Sequence, residues 1–553
     1  MATETSVEIS DEALAAEARP LVERLVTDAV ASGLAAQDAT LWGPDAESEA
    51  SIRLSWTTLH ETSRPLLAEI DALRAELHAD GLDRIVLAGM GGSSLAPEVI
   101  TATAGVPLTV LDTTDPGQVA DALSGDLERT VLVVSSKSGT TVETDSHRRI
   151  FERAFAANGI DPVTRIIVVT DPGSPMEQAA KQAGYRKVFT ADPHVGGRYS
   201  ALTAFGLVPA GLAGADVATL LDDAAAAFAE VRADSADNPA LRLAAGLAAA
   251  HDKGAEKVVF ADTGSGIKGF PDWVEQLIAE STGKNGTGLL PVAAENTRAP
   301  GFADAGADAT TVAIGPAQDG ARIGTSGPLG GQFLLWEFAT AIAGRLLGIN
   351  PFDQPDVEAA KKAARELLDT AGGGPAVTPA TVDGSIEVHA SDGWLSAGVG
   401  TVAEALRAFL ATAPRAGYLS IQAYLDRLDD ASAAVLRPEL ARRTGLQTTF
   451  GWGPRFLHST GQYHKGGHQN GIFLQITGAA EEDLAVPDRP YTLGELQRAQ
   501  ALGDGQVLAE HNRPVLRLHL NDRAAGLVEL VKAIEGLHQD HAHEDKAAQE
   551  DKA

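Results

Sequence analysis

The sequence predicts an α/β fold built on doubly wound parallel sheets. Short apolar runs rich in β-branched residues, such as Thr130–Val134, are typical of buried parallel strands. Segments with helical spacing, such as 142–155, alternate with these runs, and this order favours a parallel sheet with helices on both faces. The chain has 553 residues, enough for about two to four domains with substantial cores.

The first part of the chain divides into a helical segment and an α/β unit. Residues 1–82 show mostly helical spacing with a break near 41–44, which predicts a helical N-terminal segment. Residues 83–213 are predicted to form the first sheet domain. Its expected strands are 84–88, 108–111, 130–134, 165–170 and 187–189, and its helices begin near Pro97 and span 142–155.

A second α/β domain is predicted over 214–371, beginning with a helical connector over 214–253. Gly372–Pro375 is predicted to be a linker. Residues 376–537 are expected to complete the second domain as a C-terminal α/β portion, and the charged tail, 538–553, is expected to be disordered. The predicted strands after residue 214 are 257–260, 310–314, 418–424 and 516–520, and the predicted helices are 273–279, 332–347 and one starting at Asp356.

The composition of the chain argues against several kinds of binding partner. A formal net charge of −31 argues against nucleic acid and anionic membrane surfaces, so an anionic substrate must be attracted by local cations inside its site. The longest uncharged run, 199–215, contains glycines and a proline and is too short to span a membrane. The absence of cysteine excludes disulfides and thiol catalysis and fits a cytoplasmic protein. The polar, acidic N-terminus is unlike a signal peptide.

The turn after the strand 130–134 has the residues of a phosphate site. Between this strand and the next helix, five hydroxyl residues accompany one lysine and one glycine. A strand–turn–helix junction offers backbone N–H groups and the positive end of a helix dipole, which suit a phosphate. The alternative is an ordinary helix N-cap, but capping needs fewer hydroxyls. The residues are Ser135, Ser136, Lys137, Ser138, Gly139, Thr140 and Thr141.

A glycine-rich turn follows the strand 84–88 and has two interpretations. Gly89-x-Gly91-Gly92 resembles a dinucleotide fingerprint, and Asp112 lies about where a ribose-binding carboxylate would be. This pattern would indicate an NAD-dependent dehydrogenase. However, Ser94 replaces the third glycine, and the pair Ser93-Ser94 suits a hydroxylated sugar at least as well.

Three charged residues are candidates for chemistry. Arg198 lies in a glycine-rich turn from which a guanidinium can reach into a cleft and stabilise an oxyanion, or simply form a surface ion pair. Glu280 lies at a helix end and is either a catalytic base or a solvated side chain. Lys361 lies one turn into a helix, with Lys362 beside it, and solvated lysines are the ordinary alternative.

Three histidines close together suggest either a metal site or separate roles. His458, His464 and His468 have no carboxylate among them and lack the H-E-x-x-H spacing, so we expect no metal. His458, within Leu-His-Ser-Thr-Gly-Gln, is either a proton-transfer residue or a buried structural histidine.

Taken together, these segments closely resemble the glucose-6-phosphate isomerase family, whose members contain two sugar-isomerase (SIS-type) domains. The resemblance spans roughly residues 83–520, and Asp38–Trp42 adds a likeness to the isomerase half of bacterial transaldolase–isomerase fusion proteins. The matching segments are Gly-Met-Gly-Gly-Ser (89–93), Ser-Lys-Ser-Gly-Thr-Thr-Val-Glu (136–143), Gly-Gly-Arg-Tyr-Ser (196–200), Glu-Ser-Thr-Gly-Lys (280–284), Asn-Pro-Phe-Asp-Gln-Pro (350–355) with Lys361, and His-Ser-Thr-Gly-Gln (458–462).

The resemblance implies an aldose–ketose isomerase that interconverts glucose 6-phosphate and fructose 6-phosphate, a step of glycolysis and gluconeogenesis, without metal or redox cofactor. It implies that Glu280 moves a proton between C2 and C1 and that Arg198 stabilises the enediolate. It also implies that His458, with Lys361, assists ring opening. The implied substrate-binding residues are Ser136, Lys137, Ser138 and Thr141 for the phosphate and Gly92, Ser93 and Gln354 for the sugar.

Several points stay open on the sequence alone. In stand-alone bacterial relatives the histidine segment precedes the lysine, whereas here His458 follows Lys361. The histidine could act in its own subunit or, in a homodimer, in its partner. The substrate could include mannose 6-phosphate. A non-catalytic sugar-phosphate-binding protein with the same fold is the alternative from a different functional class, because fold alone does not fix function.

Overall fold

The computed structural model describes residues 4–318, 320–369, 378–391 and 393–537. The linker expected at 372–375 and the tail expected to be disordered lie outside these ranges. The strands of the described residues are β1 (Ser6–Ile9), β2 (Arg84–Gly89), β3 (Thr109–Leu111), β4 (Thr130–Ser136), β5 (Ile166–Thr170), β6 (Lys187–Thr190), β7 (Lys257–Asp262), β8 (Leu290–Ala293), β9 (Ala309–Ile314), β10 (Ile323–Ser326), β11 (Thr381–Asp383), β12 (Ile386–Ala390), β13 (Tyr418–Tyr424), β14 (Gln447–Trp452), β15 (Gly471–Gly478) and β16 (Val515–Leu520).

Helices flank and connect these strands. None of the helices within the described ranges combines the length and the hydropathy that a membrane span requires. The helices are α1 (Glu12–Thr27), α2 (Val30–Ala35), α3 (Pro44–Ala50), α4 (Leu59–Thr62), α5 (Pro65–Ala79), α6 (Leu95–Ala104), α7 (Pro116–Ser124), α8 (Val142–Ala157), α9 (Pro175–Ala183), α10 (Ala204–Ala213), α11 (Val217–Val231), α12 (Pro239–Asp252), α13 (Phe270–Thr282), α14 (Leu329–Leu346), α15 (Val357–Asp369), α16 (Val402–Leu410), α17 (Leu436–Thr444), α18 (Gly461–Gly466), α19 (Leu493–Glu510) and α20 (Arg523–Glu535).

The first sheet has the strand order β3-β2-β4-β5-β6, and all its strands are parallel. Its central strands carry fully buried apolar runs, since helices cover both faces. Gly89 pairs with Ser135, and Ser136 pairs with Thr170. The loops that follow β2, β4 and β5 therefore meet at one carboxyl edge, where open parallel sheets bind ligands. The predicted strands and the doubly wound class are confirmed here.

The second sheet has the order β1-β10-β9-β7-β8. Strands β7 to β10 are parallel, and β1 joins the edge antiparallel to β10. The N-terminal segment, predicted as helical, thus also contains a strand. The reason is long-range pairing: Ser6–Ile9 is too short to carry a periodic signal, and it is fixed by hydrogen bonds to Ile323–Ser326, far along the chain.

The C-terminal residues build a third sheet, in the order β11-β12-β16-β15-β13-β14. Strands β13 to β16 are parallel, while β11 and β12 are antiparallel to their neighbours. An apolar cluster joins this sheet to the second one, because Tyr418 and Phe473 pack with Val259 and Leu290. The division of the chain at the expected boundaries, including completion of the second domain by 376–537, stays a prediction.

Aromatic packing fixes the turn that carries Arg198. The side chain of Trp56, on the helical N-terminal segment, stacks on Tyr199 with ring centroids 4.8 Å apart. Trp56 also meets Phe338 of α14 edge to face at 5.2 Å. All three rings are buried, so the turn 197–199 is held between the N-terminal segment and the second sheet's helices.

Candidate active site

A cavity of about 550 Å³ opens at the carboxyl edge of the first sheet. Its walls come from the loops after β2 and β4, from α13 and α15, and from the segment around His458. This is the volume of a small-molecule site. The predicted site residues that line the cavity are Gly92, Ser93, Ser136, Lys137, Ser138, Thr141, Glu280, Gln354, Lys361 and His458; Arg198 lies in the wall behind Glu280.

The hydroxyl-rich turn forms a compact loop before α8. The Ser136 and Thr141 hydroxyl oxygens lie 3.0 Å apart, as do those of Ser138 and Thr140. The backbone N–H of Gly139, a residue with φ +70°, donates to the Ser136 hydroxyl over 3.2 Å. These hydroxyls thus bond to each other and to the turn, at the positive end of the α8 dipole, which favours an anion.

Lys137 enters the same cavity but already has a carboxylate partner. Its Nζ donates to Oδ2 of Asp171 over 2.6 Å and to the Pro193 carbonyl over 3.3 Å. Burial raises the pKa of Asp171, although the ammonium of Lys137 opposes this. Asp171 therefore fixes Lys137 at the rim and offsets part of its charge.

Glu280 lies on the last turn of α13, with its side chain facing the cavity. The carboxylate is buried, and burial raises the pKa of Glu280 while Arg198 opposes the rise. Nε of Arg198 lies 3.1 Å from Oε2, and the amide of Gln276 donates to Oε1 over 3.4 Å. Glu280 is therefore not a solvated helix residue, and buried carboxylates with a shifted pKa and a specific charge partner are frequent at functional sites.

Arg198 is a buried residue, not a surface ion pair. Its NH1 group donates to the backbone carbonyls of Glu280 and Pro351 over 2.7 and 2.9 Å. Its NH2 group donates to the carbonyl of Asp353 over 3.2 Å and to Oε1 of Gln354 over 2.7 Å. With Nε directed at Glu280, every nitrogen of the guanidinium faces a protein oxygen. The arginine thus ties the end of α13 to the loop 351–354.

The glycine-rich turn after β2 brings the backbone close to the Arg198 turn. A Cβ on Gly92 would lie 2.0 Å from the carbonyl oxygen of Gly197, so only glycine fits there. Ser93 follows, buried and facing the cavity. The ribose-binding interpretation of Asp112 is not supported, because this buried carboxylate lies 2.6 Å from the guanidinium of Arg455.

Lys361 lies on the first half of α15, which forms one side of the cavity. Its side chain is exposed, and its positive charge helps to lower the pKa of Glu143 and opposes the rise that burial causes in the pKa of Glu280. The neighbouring Lys362 is different: its side chain is 75% exposed and pairs with Glu366 at 3.7 Å. Only Lys361 of the two lines the cavity.

His458 faces a buried carboxylate across the cavity. Its Nε2 lies 2.9 Å from Oε1 of Glu143, and Gln500 donates to the same oxygen over 2.7 Å. Burial by itself would raise the pKa of Glu143, but His458 and weaker partners outweigh it and leave the pKa at about 2. Because His458 reaches this position within one chain, the unusual motif order does not separate it from Glu280.

The three neighbouring histidines have different partners. His464 is buried between Ser420 and Gln422, and Nδ1 of His468 lies 3.1 Å from Glu256. Burial lowers the pKa of His464 well below the ordinary value. Of the three histidines, His458 lines the cavity at the edge of the first sheet, and His464 and His468 do not.

Three residues of the site were missed by sequence reasoning. Glu143 ends the segment 136–143, in which the sequence pattern indicates a function only for the hydroxyl residues and the lysine. Gln276 lies four residues before Glu280, so the helical spacing could have identified it as a neighbour on the same face. Gln500 comes from α19, 357 residues along the chain from its partner Glu143, and no local pattern marks it.

Comparison with known proteins identifies relatives over much of the chain. A family model described as phosphoglucose isomerase matches residues 70–313. A glucose-6-phosphate isomerase from Symbiobacterium thermophilum is 30% identical over 396 residues, covering 57% of this chain and 87% of that protein. A "Probable glucose-6-phosphate isomerase" from Methanococcus maripaludis is 29% identical over 351 residues, covering 53% of this chain and 80% of that protein.

The chain also resembles solved structures. A hypothetical protein from Thermus thermophilus superposes with a TM-score of 0.57 at 25% sequence identity. That superposition covers 66% of this chain and 99% of the other. Nearly the whole of the Thermus protein is therefore matched, whereas about a third of this chain has no counterpart in it.

Proposed function

The chain belongs to the phosphoglucose isomerase family, and on this premise we propose that its cavity interconverts D-glucose 6-phosphate and D-fructose 6-phosphate. The protein is an aldose–ketose isomerase. The observation that best supports this is the joint lining of one cavity by a buried carboxylate, Glu280, by the pair His458–Glu143, and by the hydroxyl-rich loop before α8. Isomerisation of a phosphorylated sugar needs a phosphate-binding group, an acid for ring opening and a base. The hydroxyl-rich loop, the pair His458–Glu143 and Glu280 would supply these in turn.

The phosphate end of the substrate is proposed to bind the loop 136–141. The hydroxyls of Ser136, Ser138 and Thr141 would exchange their mutual hydrogen bonds for bonds to phosphate oxygens. The N-terminus of α8 adds backbone N–H groups and a favourable dipole. Lys137 contributes positive charge, which Asp171 holds in place. Gly92, Ser93 and Gln354 line the part of the cavity proposed for the sugar carbons.

Ring opening is proposed to use the pair His458 and Glu143. Opening the ring requires a proton on the ring oxygen and loss of one from the C1 or C2 hydroxyl. The imidazole can carry this proton, and the ionised carboxylate of Glu143 fixes its orientation. Lys361, on α15, adds a cation on the same side and helps to polarise the ring oxygen.

Isomerisation is proposed to proceed by proton transfer through Glu280. The carboxylate removes the proton from C2 of the open aldose, electrons move onto the C1 oxygen, and an enediolate forms. Return of the proton to C1, with transfer of the C2 hydroxyl proton to the C1 oxygen, yields the ketose. Burial raises the pKa of Glu280 above its usual range, which makes the carboxylate a stronger base for this transfer. No atom is gained or lost.

Arg198 is proposed to act on this step through Glu280. The resemblance implies direct stabilisation of the enediolate, but the guanidinium nitrogens are directed at Glu280 and at the 351–354 loop. Arg198 therefore counts as a positioning residue that orients the base and moderates its pKa. Its charge still favours an anion in the cavity at longer range.

A coupled assay on the purified protein in the presence of a chelator tests the proposal. Fructose 6-phosphate is supplied, and glucose 6-phosphate is detected with a dehydrogenase. Saturable turnover supports the isomerase. Binding of fructose 6-phosphate without turnover would support the non-catalytic sugar-phosphate-binding protein instead. Mannose 6-phosphate is tested in parallel, because an isomerase that also accepts this sugar is a close variant.

Three finer statements are also proposals. A likeness to the isomerase half of transaldolase–isomerase fusions is proposed from the sequence of the segment Asp38–Trp42. A homodimer is proposed from the family resemblance, with size-exclusion chromatography and light scattering as its test. Cytoplasmic localisation is proposed from the cysteine-free composition.

A further inference from the structure

A second cavity, of about 600 Å³, lies next to the phosphate loop. It is bounded by α8, α9 and α15 and by the segment 489–491. Thr140, Val142, Arg365 and Leu368 line both this cavity and the catalytic one. The two cavities are therefore adjacent and share these four residues, but the rest of their lining differs. We call this second space the arginine cavity.

Arginine side chains are concentrated in the lining of the arginine cavity. Four arginines line it, whereas the whole chain has a net charge of −31. Asp145, the lining carboxylate, lies 2.7 to 2.8 Å from three of the guanidiniums, and Glu152 and Asp488 lie behind the lining. The lining arginines are Arg148, Arg149, Arg365 and Arg489.

The rest of the lining is aromatic and apolar. Tyr185 and Tyr491 contribute rings, and Met176, Pro490 and Leu368 contribute apolar surface. Guanidinium groups bind phosphate oxygens in pairs, and they also stack on flat rings. A cavity of this volume holds a drug-sized or nucleotide-sized molecule. The combination matches an organic phosphate with a flat apolar body.

We propose that the arginine cavity binds a nucleotide, with its phosphates on the arginines and its base against the tyrosines. The nucleotide and the sugar phosphate occupy separate cavities and bind at the same time. Asp145 holds Arg148, Arg149 and Arg489 in position beforehand, so little side-chain ordering remains for binding. The pKa of Asp145 is lowered to about 2, since its arginine partners outweigh its burial, and its charge is therefore constant near neutral pH.

Calorimetric titration with ATP, and separately with inorganic pyrophosphate, tests the proposal. In the wild-type chain we expect one ATP per chain, bound about tenfold more tightly than pyrophosphate, with the same affinity in saturating fructose 6-phosphate. Absence of ATP binding at millimolar concentration would overturn the proposal. So would displacement of ATP by fructose 6-phosphate, or equal affinity for pyrophosphate.

Substitutions locate the site. Arg489→Ala removes a side chain that is 41% exposed, and we expect ATP affinity to fall about tenfold. Arg149→Lys keeps the charge but loses the planar fork, and serves as a second, milder variant. Arg129→Ala is the matched control, because Arg129 forms an exposed pair with Asp83 elsewhere on the same domain. Unchanged ATP affinity in both cavity variants would contradict the assignment, provided that their turnover of fructose 6-phosphate shows that they are folded.

Discussion

Nε of Arg198 lies 3.1 Å from Oε2 of Glu280, and both side chains are buried. The remaining nitrogens of Arg198 bond to the chain around Pro351 and Gln354. The guanidinium of Arg198 therefore holds the proposed base in position and also influences its pKa. A buried carboxylate that loses such a partner becomes harder to ionise, and the chain loses several hydrogen bonds with it.

Arg198→Met should impair catalysis through the protonation of Glu280. The guanidinium opposes the rise in the pKa of Glu280 that burial causes, so its removal raises this pKa further. The acidic limb of the kcat/KM profile, where the base must be ionised, should then move to higher pH, and kcat at neutral pH should fall at least about tenfold.

Arg198→Lys separates charge from geometry. Lysine keeps the positive charge but lacks the planar fork, so we expect a lower kcat with an acidic limb close to that of the wild type. An identical limb in the wild type and in Arg198→Met would show that Arg198 does not influence the base.

The sequence predicted the parts of the fold that local pattern determines. The buried strands β2, β4, β5 and β13 each have a long buried run, which a parallel sheet covered on both faces requires. Other strands depend on distant partners: β8 contains a proline, and β10 consists of Ile-Gly-Thr-Ser. Their pairing is fixed by tertiary packing, which no short pattern records.

The candidate site also contains residues that the local sequence predicts and residues whose contacts depend on the folded chain. Turn chemistry around Ser136 and Gly92 could be interpreted directly, because it depends on residues next to each other. The contact between His458 and Glu143 joins residues 315 positions apart, and its geometry could come only from the folded chain. The glycines around Arg198 predict an unusual turn, but the hydrogen bonds of this arginine to the 351–354 loop depend on residues about 150 positions away and leave no local pattern.

Ser138→Ala and Thr141→Ala should raise KM for fructose 6-phosphate by about tenfold and leave kcat nearly unchanged. Each hydroxyl is proposed to bind the phosphate, and a hydrogen bond to a charged group contributes about 1.5–3 kcal/mol. Steady-state kinetics provides the measurement, and Ser124→Ala, at the exposed end of α7, is the control. A fall in kcat at constant KM would place these hydroxyls nearer the reacting carbons than the phosphate.

Glu143→Gln should lower kcat about tenfold to a hundredfold. The substitution keeps the size of the side chain but replaces the ionised oxygen that lies 2.9 Å from Nε2 of His458 with an amide. The imidazole then loses the charge that orients its protonated form, and ring opening slows. Glu128→Gln changes a carboxylate that is 72% exposed in the same domain, and should have no effect. Equal kcat values for the two variants would contradict the proposed role.

Glu337→Gln should change how stability depends on pH. Glu337 is fully buried in α14, and burial raises its pKa well above the usual value. A carboxyl group with a raised folded-state pKa contributes stability below its unfolded-state pKa of about 4.3, and this contribution is lost as pH rises towards the folded-state pKa. The neutral glutamine is not subject to this loss.

The stability of Glu337→Gln relative to the wild type should therefore increase as pH rises from about 5 to about 8. Thermal unfolding at several pH values in this range measures the difference. Glu76→Gln, which alters an exposed side chain of α5, should follow the wild type throughout. A constant difference between Glu337→Gln and the wild type would show that Glu337 is ionised in the folded chain.

Turnover by Glu280→Gln tests the central claim most directly. Glutamine preserves the shape of the side chain but cannot accept the C2 proton, so kcat and solvent-deuterium incorporation at C2 should fall by about 10²–10⁴-fold. KM should stay within about threefold, and Glu275→Gln on the same helix should retain wild-type activity. Retention of kcat within about threefold of the wild type by Glu280→Gln would contradict the assignment of Glu280 as the base.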